Sequence, residues 1–198
     1  MTFALLWGKS KIANLPVDFS TLLDADLLKY IGNGDEQAFE VLYRRHSEAL
    51  YNYLLRLVHE SPVAEDLLQE TFLAVWRNAQ QFRGGAQVRT WLFQIAHHRA
   101  VSWLRKQRQQ VDWDTLEPTL ADPQTRPEPL LLQNLDVARV QRALAQLSAR
   151  HRSVVELAFV QEFSYREIAE ILQIPEGTVK SRMSTALKLL AHYLEHEV

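Results

Sequence analysis

Residues 164–182, SYREIAEILQIPEGTVKSR, carry the signals that determine the architecture of the C-terminal part of the chain. Ser164 and Glu167 have the spacing of a capping box, in which the serine hydroxyl accepts from the amide of residue 167 and the carboxylate accepts from the serine amide. The helix that they begin is followed by a short turn, residues 173–175, and by a second helix from Glu176. Two helices joined by so short a turn predict a helix-turn-helix.

The second helix of this motif has a basic, hydroxyl-rich outer face. A face of this kind suits phosphates and base edges in a major groove, and its N-terminal part is the part that enters the groove. An ordinary helical hairpin with a polar surface is the alternative. The candidate DNA contacts on this helix are Glu176, Thr178, Lys180, Ser181, Arg182 and Thr185.

A second basic segment lies upstream. From Arg77 to Val111 the chain has seven basic residues and no acid, although its formal net charge is −2. A localised contact with a polyanion fits this distribution. The alternative is a solvated surface helix, which normally mixes both signs.

The prolines divide the chain. Four of the seven lie within residues 118–129, among acids and polar residues, which predicts a linker. We therefore expect an extension (1–23), an N-terminal module (24–108), an acidic, proline-rich linker (109–132) and a C-terminal module (133–198). Apolar residues recur at the helical period and no segment alternates for long, so the sequence predicts an all-α fold: two small helical domains joined by a flexible linker.

Local signals predict where several helices begin. We expect a helix over residues 35–59, a helix capped by Ser61 before Pro62, and one capped by Thr90. In the C-terminal module we expect helices over residues 135–147 and 151–162, before the helix-turn-helix.

Composition excludes several classes of protein. The chain has no cysteine, which excludes disulfides, cysteine-based zinc sites and thiol catalysis. The apolar N-terminal stretch is too short for a signal sequence and no run could span a membrane, so we expect a cytoplasmic location. A metal-dependent hydrolase is the enzyme hypothesis, because His192 and His196 are four residues apart. No carboxylate base accompanies them, and His97 and His98 are adjacent, so we expect no enzyme, catalytic residue, metal site or cofactor.

These motifs resemble those of bacterial sigma factors, most closely the small extracytoplasmic-function (ECF) group. Residues 147–152, 164–169 and 177–182 resemble region 4, residues 66–76 resemble region 2.2, and residues 89–106 resemble regions 2.3 and 2.4. The resemblance covers about residues 24–108 and 133–192, with no third domain between them.

The resemblance implies a polymerase-binding edge. In the family, region 2.2 docks on the clamp helices of the β′ subunit of RNA polymerase, and region 4 contacts the flap of the β subunit. The residues that correspond to the clamp contact are Asp66, Gln69, Glu70 and Leu73. The alternative is that the acids merely cover a surface helix near its positive N-terminus.

The resemblance also implies recognition and opening of the −10 promoter element by regions 2.3 and 2.4. Opening DNA needs cations for the backbone and flat surfaces for unstacked bases. The −10 candidates are Arg83, Arg89, His98, Arg99, Trp103, Arg105 and Lys106. Phe82, Trp91, Phe93 and His97 are further flat surfaces, although Trp91 fits a core position better. His98 and Ser102 stand where the family usually has Asn and Asp, so the resemblance does not define the −10 preference.

The leading hypothesis is therefore an ECF-type sigma factor that binds core RNA polymerase and promoter DNA, recognises −10 and −35 elements, promotes melting and is held inactive by an anti-sigma factor. It has no small-molecule substrate. The alternative is a free-standing helix-turn-helix regulator that binds DNA without polymerase. The residues do not identify the promoter sequence, the inducing signal, the anti-sigma factor or a role for residues 1–23.

Overall fold

The computed structural model describes residues 18–84, 87–109 and 137–196, and these residues form helices with no strand among them. The prediction of an all-α fold with two helical domains is confirmed. The predicted linker, apart from Gln109, and residues 1–17 lie outside the described residues. After a 3₁₀ turn, Phe19–Thr21, the helices are α1 Asp24–Gly32, α2 Glu36–Val58, α3 Ser61–Asn78, α4 Val88–Gln109, α5 Val137–Gln146, α6 Ala149–Val155, α7 Tyr165–Leu172 and α8 Glu176–His196.

Helices α1–α4 form the N-terminal module, in which α2 packs against each of the other three. Asp35 caps α2 by accepting from the amide of Ala38 at 2.9 Å. At its other end His59 adopts a left-handed conformation, with φ of 62°, and donates its amide to the carbonyl of Leu55. The helix therefore ends where the sequence predicts, and His59 projects from its C-terminus.

Two predicted caps of this module are wrong. Helix α3 already includes Ser61, and Glu60 holds the cap position without a side-chain hydrogen bond. Helix α4 begins at Val88, two residues before Thr90, because Val88 is itself buried against the core and continues the helix backwards. The Thr90 hydroxyl is buried and has no hydrogen-bond partner among the described residues.

The helices before the helix-turn-helix also differ from expectation. Helix α6 begins at Ala149 rather than at His151, since the Ser148 carbonyl accepts from the amides of His151 and Arg152. It widens into a π-helical turn, Glu156–Val160, and therefore ends before Glu162. Helix α5 is described from Val137, so the first two residues of its predicted span lie outside the described residues.

The helix-turn-helix is confirmed at α7 and α8. Both capping-box bonds are present: the Ser164 amide donates to the Glu167 carboxylate at 2.9 Å, and the Glu167 amide donates to the Ser164 hydroxyl at 3.3 Å. Gln173 turns the chain in a left-handed conformation, with φ of 54°. Ile174 then packs against the core, which fixes the angle between the two helices.

The two modules share one continuous apolar core. Helix α4 packs along α7, and α2 touches α6. The rings of Phe93 in α4 and Phe163 before α7 meet edge to face, with centroids 5.1 Å apart. The sequence does not predict this contact, which places the two modules side by side.

Candidate nucleic-acid interface

The four side chains predicted to bind polymerase lie together on the exposed edge of α3. Asp66, Gln69 and Glu70 are exposed, and Leu73 is 47% exposed although it is apolar. The opposite face of α3 is buried against α2 and α4. An exposed leucine beside carboxylates is the composition expected of a protein-binding edge with a basic partner.

The predicted −10 residues follow α4 and the loop before it. Arg83, His98, Arg105 and Lys106 are exposed, and Trp103 is half-buried. Arg99 donates to the Glu70 carboxylate at 2.7 Å, so this cation is paired with the neighbouring acidic edge. Its Nε atom is buried and has no partner among the described residues.

Arg89 lies apart from the other −10 candidates. Its guanidinium donates to the Gln161 carbonyl at 2.6 Å and lies over the Phe163 ring, 4.2 Å from the centroid. Both partners belong to the C-terminal module. In this arrangement Arg89 holds the two modules together and is not presented to DNA.

The aromatic candidates divide between core and surface. Phe93 is fully buried between Tyr53 and Phe163, so its expected role as a surface for unstacked bases is wrong in this arrangement. The C-terminal module covers it, and the sequence of α4 alone does not reveal that cover. Trp91 packs against Phe82 with centroids 5.4 Å apart and joins the core, as its preferred interpretation expects.

A groove of about 610 Å³ runs between α3, α4 and the end of α7. Trp103, His98 and Lys106 of α4 line it on one side, and Leu172 of α7 closes it on another. The groove thus combines a flat aromatic side chain with cations. These are the two components that binding an unstacked base requires.

The recognition helix α8 presents its predicted contacts to different extents. Glu176, Lys180 and Ser181 are exposed, whereas Thr178, Arg182 and Thr185 are half-buried. Lys180 pairs with Glu176 across one turn, with Nζ and Oε1 2.9 Å apart. The hydroxyls of Ser181 and Thr185 donate to carbonyls one turn earlier, at 3.0 and 3.1 Å. Burial, and then the charge of Arg150, lowers the pKa of Arg182.

The sequence analysis does not predict a polar cluster at the seam, which is the surface where α2 and α4 of the N-terminal module meet α6 and α7 of the C-terminal module. Arg152, 6% exposed, donates to the carbonyls of Leu144, Ala145 and Leu147, which end α5. The same guanidinium donates to the Arg56 carbonyl of α2 at 3.1 Å and contacts the His59 ring. One side chain thus satisfies carbonyls at the C-terminal ends of helices from both modules.

Glu156 belongs to the same cluster and is 1% exposed. It accepts from Arg56 of the other module at 2.9 Å. Burial raises the pKa of the Glu156 carboxyl, and the neighbouring arginines Arg56 and Arg152 oppose that shift. The signal available in the sequence is the four-residue spacing of Arg152 and Glu156, which places two charges on the same side of a short helix as buried Val155 and Ser153.

The described residues contain no group of three or more His, Asp or Glu side chains that could hold a metal ion. The side chain of His196, one half of the histidine pair noted above, lies outside the described residues. No helix in the described part of the chain is long and apolar enough to cross a membrane.

Two parts of the chain match models of known protein families. Residues 42–110 match the family model for Sigma-70 region 2, and residues 138–190 match that for Sigma-70, region 4. The ECF RNA polymerase sigma factor SigX of Bacillus subtilis (strain 168) is 35% identical over 167 residues, 81% of this chain and 85% of that protein. The ECF sigma factor SigL of Mycobacterium tuberculosis (strain ATCC 25618 / H37Rv) is 35% identical over 150 residues, 75% of this chain and 84% of its own.

Among solved structures, the chain is similar to the sigma factor RpoE of Bartonella quintana, crystallised with the anti-sigma factor NepR. The TM-score is 0.62 at 29% identity, over 81% of this chain and 98% of that one. The fold of CnrH, solved with the cytosolic domain of CnrY, also matches, with a TM-score of 0.65 at 23% identity over 88% of this chain and 99% of that one. Along the chain, region 2 contains the acidic edge of α3 and the basic helix α4, and region 4 contains the helix-turn-helix. The chain belongs to the ECF group of bacterial sigma factors.

Proposed function

We propose that this chain recruits core RNA polymerase to a dedicated set of promoters, recognises their −10 and −35 elements and promotes separation of the two DNA strands. The observation that carries the proposal is the exposed acidic edge of α3 beside a basic α4, in a chain that also has a helix-turn-helix. A regulator that binds DNA on its own needs a dimerisation surface or a ligand pocket in its other module, not an acidic edge with an exposed leucine.

The polymerase contact in this proposal is the α3 edge, which binds the clamp of the β′ subunit through Asp66, Gln69, Glu70 and Leu73. Asp66 supplies a carboxylate for a basic partner, Glu70 takes part together with the Arg99 to which it is bound, and Leu73 supplies the apolar contact. The C-terminal module binds the flap of the β subunit. Residues 24–108 and 133–198 are the proposed bounds of the two modules.

The DNA contacts divide between the modules. The −10 element is bound through the exposed cations of α4 and the preceding loop, with Trp103 as the stacking surface for an unpaired base. The −35 element is bound in the major groove by the N-terminal half of α8. Glu176 and Thr178 lie at the start of this helix, and Lys180, Ser181, Arg182 and Thr185 follow in the next turns, where Arg182 and Thr185 are half-buried.

We infer regulation and location from the similar proteins. Since the similar RpoE of Bartonella quintana was crystallised with an anti-sigma factor, we infer that this chain too is held inactive by an anti-sigma protein. The chain acts in the cytoplasm, where the polymerase and the promoter are. It is a binding protein rather than an enzyme, because the polymerase performs the chemistry.

The test is assembly with core RNA polymerase. The purified chain and core polymerase are mixed and separated by gel filtration, and the eluted complex is assayed by run-off transcription on a library of promoter fragments. Co-elution with promoter-dependent transcripts supports the proposal. A chain that elutes alone, yet binds DNA, supports the free-standing regulator instead.

A charge-reversal variant tests the α3 edge. Asp66→Lys combined with Leu73→Lys removes an acid and the apolar contact from the exposed face, and we expect it to abolish co-elution. Glu48→Lys, on the exposed surface of α2, is the matched control and is expected to co-elute normally. Co-elution of the double variant at wild-type level would place the polymerase contact elsewhere.

A further inference from the structure

Three residues of α4 form the stripe that faces the C-terminal module. Arg89, Phe93 and His97 are spaced four residues apart and therefore share one face of the helix. Arg89 and Phe93 both reach Phe163. His97, one turn further, lines the groove between the modules together with Leu172 at the end of α7.

His97 is bonded to a side chain that also reaches the other module. The Tyr53 hydroxyl of α2 hydrogen-bonds to Nδ1 of His97 at 2.8 Å, and Tyr53 is fully buried. Ser153 of α6, in the C-terminal module, lies near the same hydroxyl, and its own hydroxyl donates to the Ala149 carbonyl at 2.6 Å. The imidazole is thus bonded to a buried tyrosine of its own module and lies where the two modules meet.

Most charges around His97 are positive. Arg182 of α8 and His98 of α4 both act on its ring. In the groove, α4 also contributes Arg99 and Lys106, and α3 contributes Glu70, whose carboxylate is bound to Arg99. On the Tyr53 side the nearest acid is Glu156 of the π-helical turn, which is bound to Arg56. A proton on His97 would therefore face cations and no unpaired carboxylate among these neighbours.

We propose that His97 makes the contact between the two modules sensitive to acid, so that protonation of its imidazole separates the modules and releases Arg89 from Phe163. A closed seam has room for a neutral imidazole but no counter-charge for an imidazolium. The separated modules expose the ring to water, where the charge is solvated.

The pKa of His97 gives the pH range. Burial, and next the charge of Arg182, lowers it from 6.5 to about 4 in the closed arrangement. The stabilisation that His97 gives to the closed arrangement is therefore complete above pH 6.5 and is lost as the pH falls towards about 4. If separation restores the ordinary value, the ratio of separated to closed molecules rises about tenfold between about pH 7.5 and about pH 5.5.

Other titrating groups at the seam modify this response. The ring of His59 contacts Arg152, and burial, followed by the Arg152 charge, lowers the pKa of His59, so this histidine acts in the same direction. The pKa of His151 is also lowered, by burial and then by Arg150 and Arg182. Glu156 acts in the opposite direction, because its raised pKa favours closure as acid is added.

The consequence for promoter binding rests on the proposed function, since Arg89 is one of the −10 candidates. The conformational change does not rest on it. The experiment therefore measures separation of the modules in the full chain without polymerase or DNA, and its failure leaves the proposed function untouched.

The experiment uses single-molecule energy transfer between dyes on two introduced cysteines. Gln37→Cys and Ala191→Cys lie on exposed surfaces of the two modules, and the natural chain has no other cysteine. The populations of high and low transfer are counted at about pH 7.5 and about pH 5.5. Far-UV circular dichroism at both pH values establishes that the helices remain folded.

We expect the low-transfer population of the natural sequence to increase by up to about tenfold at the lower pH. His97→Gln, which still hydrogen-bonds but does not titrate, is expected to reduce this response to less than half. His46→Gln, which replaces a histidine bonded to Asp24 within the N-terminal module, should respond like the natural sequence. An unchanged response in His97→Gln, or no response in the natural sequence, overturns the proposal. If His97→Gln is already open at neutral pH, NMR titration of the natural chain decides: a His97 pKa at or above its ordinary value overturns it.

Discussion

The guanidinium of Arg89 lies over the ring of Phe163, with its central carbon 4.2 Å from the ring centroid, and donates to the Gln161 carbonyl two residues away. A cation that sequence resemblance assigns to the −10 element is thus bound by the module assigned to the −35 element. In this arrangement the C-terminal module competes with DNA for the Arg89 side chain. The same arginine cannot bind the Phe163 ring and a DNA strand at once.

We expect Arg89→Lys to weaken the contact between the modules by about 1–2 kcal/mol, since an ammonium cannot donate to the Gln161 carbonyl and cover the Phe163 ring at the same time. The positive charge available to DNA is kept. The measurement is energy transfer between dyes on the two modules, at neutral pH. Arg83→Lys, exposed and outside the seam, is the control; equal transfer in both variants would show that Arg89 contributes nothing to closure.

Arg152 is expected to be the most costly arginine to replace in the C-terminal module. Arg152→Ala leaves three carbonyls at the end of α5 without their donor and removes the bond to α2, so we expect a loss of about 3–5 kcal/mol in the free energy of unfolding. Urea denaturation followed by circular dichroism measures it.

The matched control for Arg152 is Arg166→Ala. Arg166 is exposed and pairs with Glu170 at 3.7 Å, so its replacement should cost less than about 1 kcal/mol. If both arginines cost the same, the carbonyl bonds of Arg152 are not what stabilises this module.

Features set by neighbouring residues could mostly be predicted from the sequence, with the Ser61 cap as an exception, and features set by distant residues could not. The capping box at Ser164 depends on residues three positions apart, and it is present. The Asp35 cap is just as local, but the sequence analysis does not predict it. The start of α4 that a Thr90 cap predicts is three residues late, because burial of Val88 is a tertiary effect. The pair Arg56–Glu156 joins residues 100 positions apart, and helical periodicity does not identify the partner of a buried face.

Phe93 illustrates the same limit at the candidate site. An aromatic residue on a basic helix fits both a stacking surface and a core position, and the choice depends on what covers it. The ring that covers Phe93 belongs to Phe163, beyond the predicted linker. The exposed edge of α3 was predictable because its four residues are close in sequence and the helix they lie on has a buried opposite face.

The buried carboxyl of Glu156 leads to a prediction of how the stability of the protein changes with pH. Burial raises the pKa of its carboxyl above the ordinary value of 4.5, so the stabilisation from Glu156 is complete below that pH and is lost as the pH rises through the raised pKa. We therefore expect Glu156→Gln to gain stability relative to the natural chain as the pH rises from about 4.5 to about 7. Urea unfolding of both proteins across this range measures the difference, in which the titration of other groups cancels. A constant difference would mean that the carboxyl of Glu156 keeps its ordinary pKa.

The recognition helix gives the last prediction, on the salt dependence of −35 binding. Lys180 and Arg182 are expected to contact phosphates, and each contact contributes about 0.9 to the slope of log affinity against log salt concentration. Arg182→Ala should lower the slope by about that amount.

Lys180→Ala differs, because Glu176 lies 2.9 Å from Lys180 and is left unpaired near DNA when the lysine is removed. We therefore expect Lys180→Ala to lose more affinity than Arg182→Ala, and the added change Glu176→Gln to restore part of that loss. Fluorescence anisotropy on a −35 duplex at several salt concentrations measures both quantities, and Lys29→Ala, exposed on α1, is the control with an unchanged slope. If Glu176→Gln weakens binding in the Lys180→Ala background, the carboxylate itself contacts a base, most directly the amino group of a cytosine, and the helix reads sequence at this position.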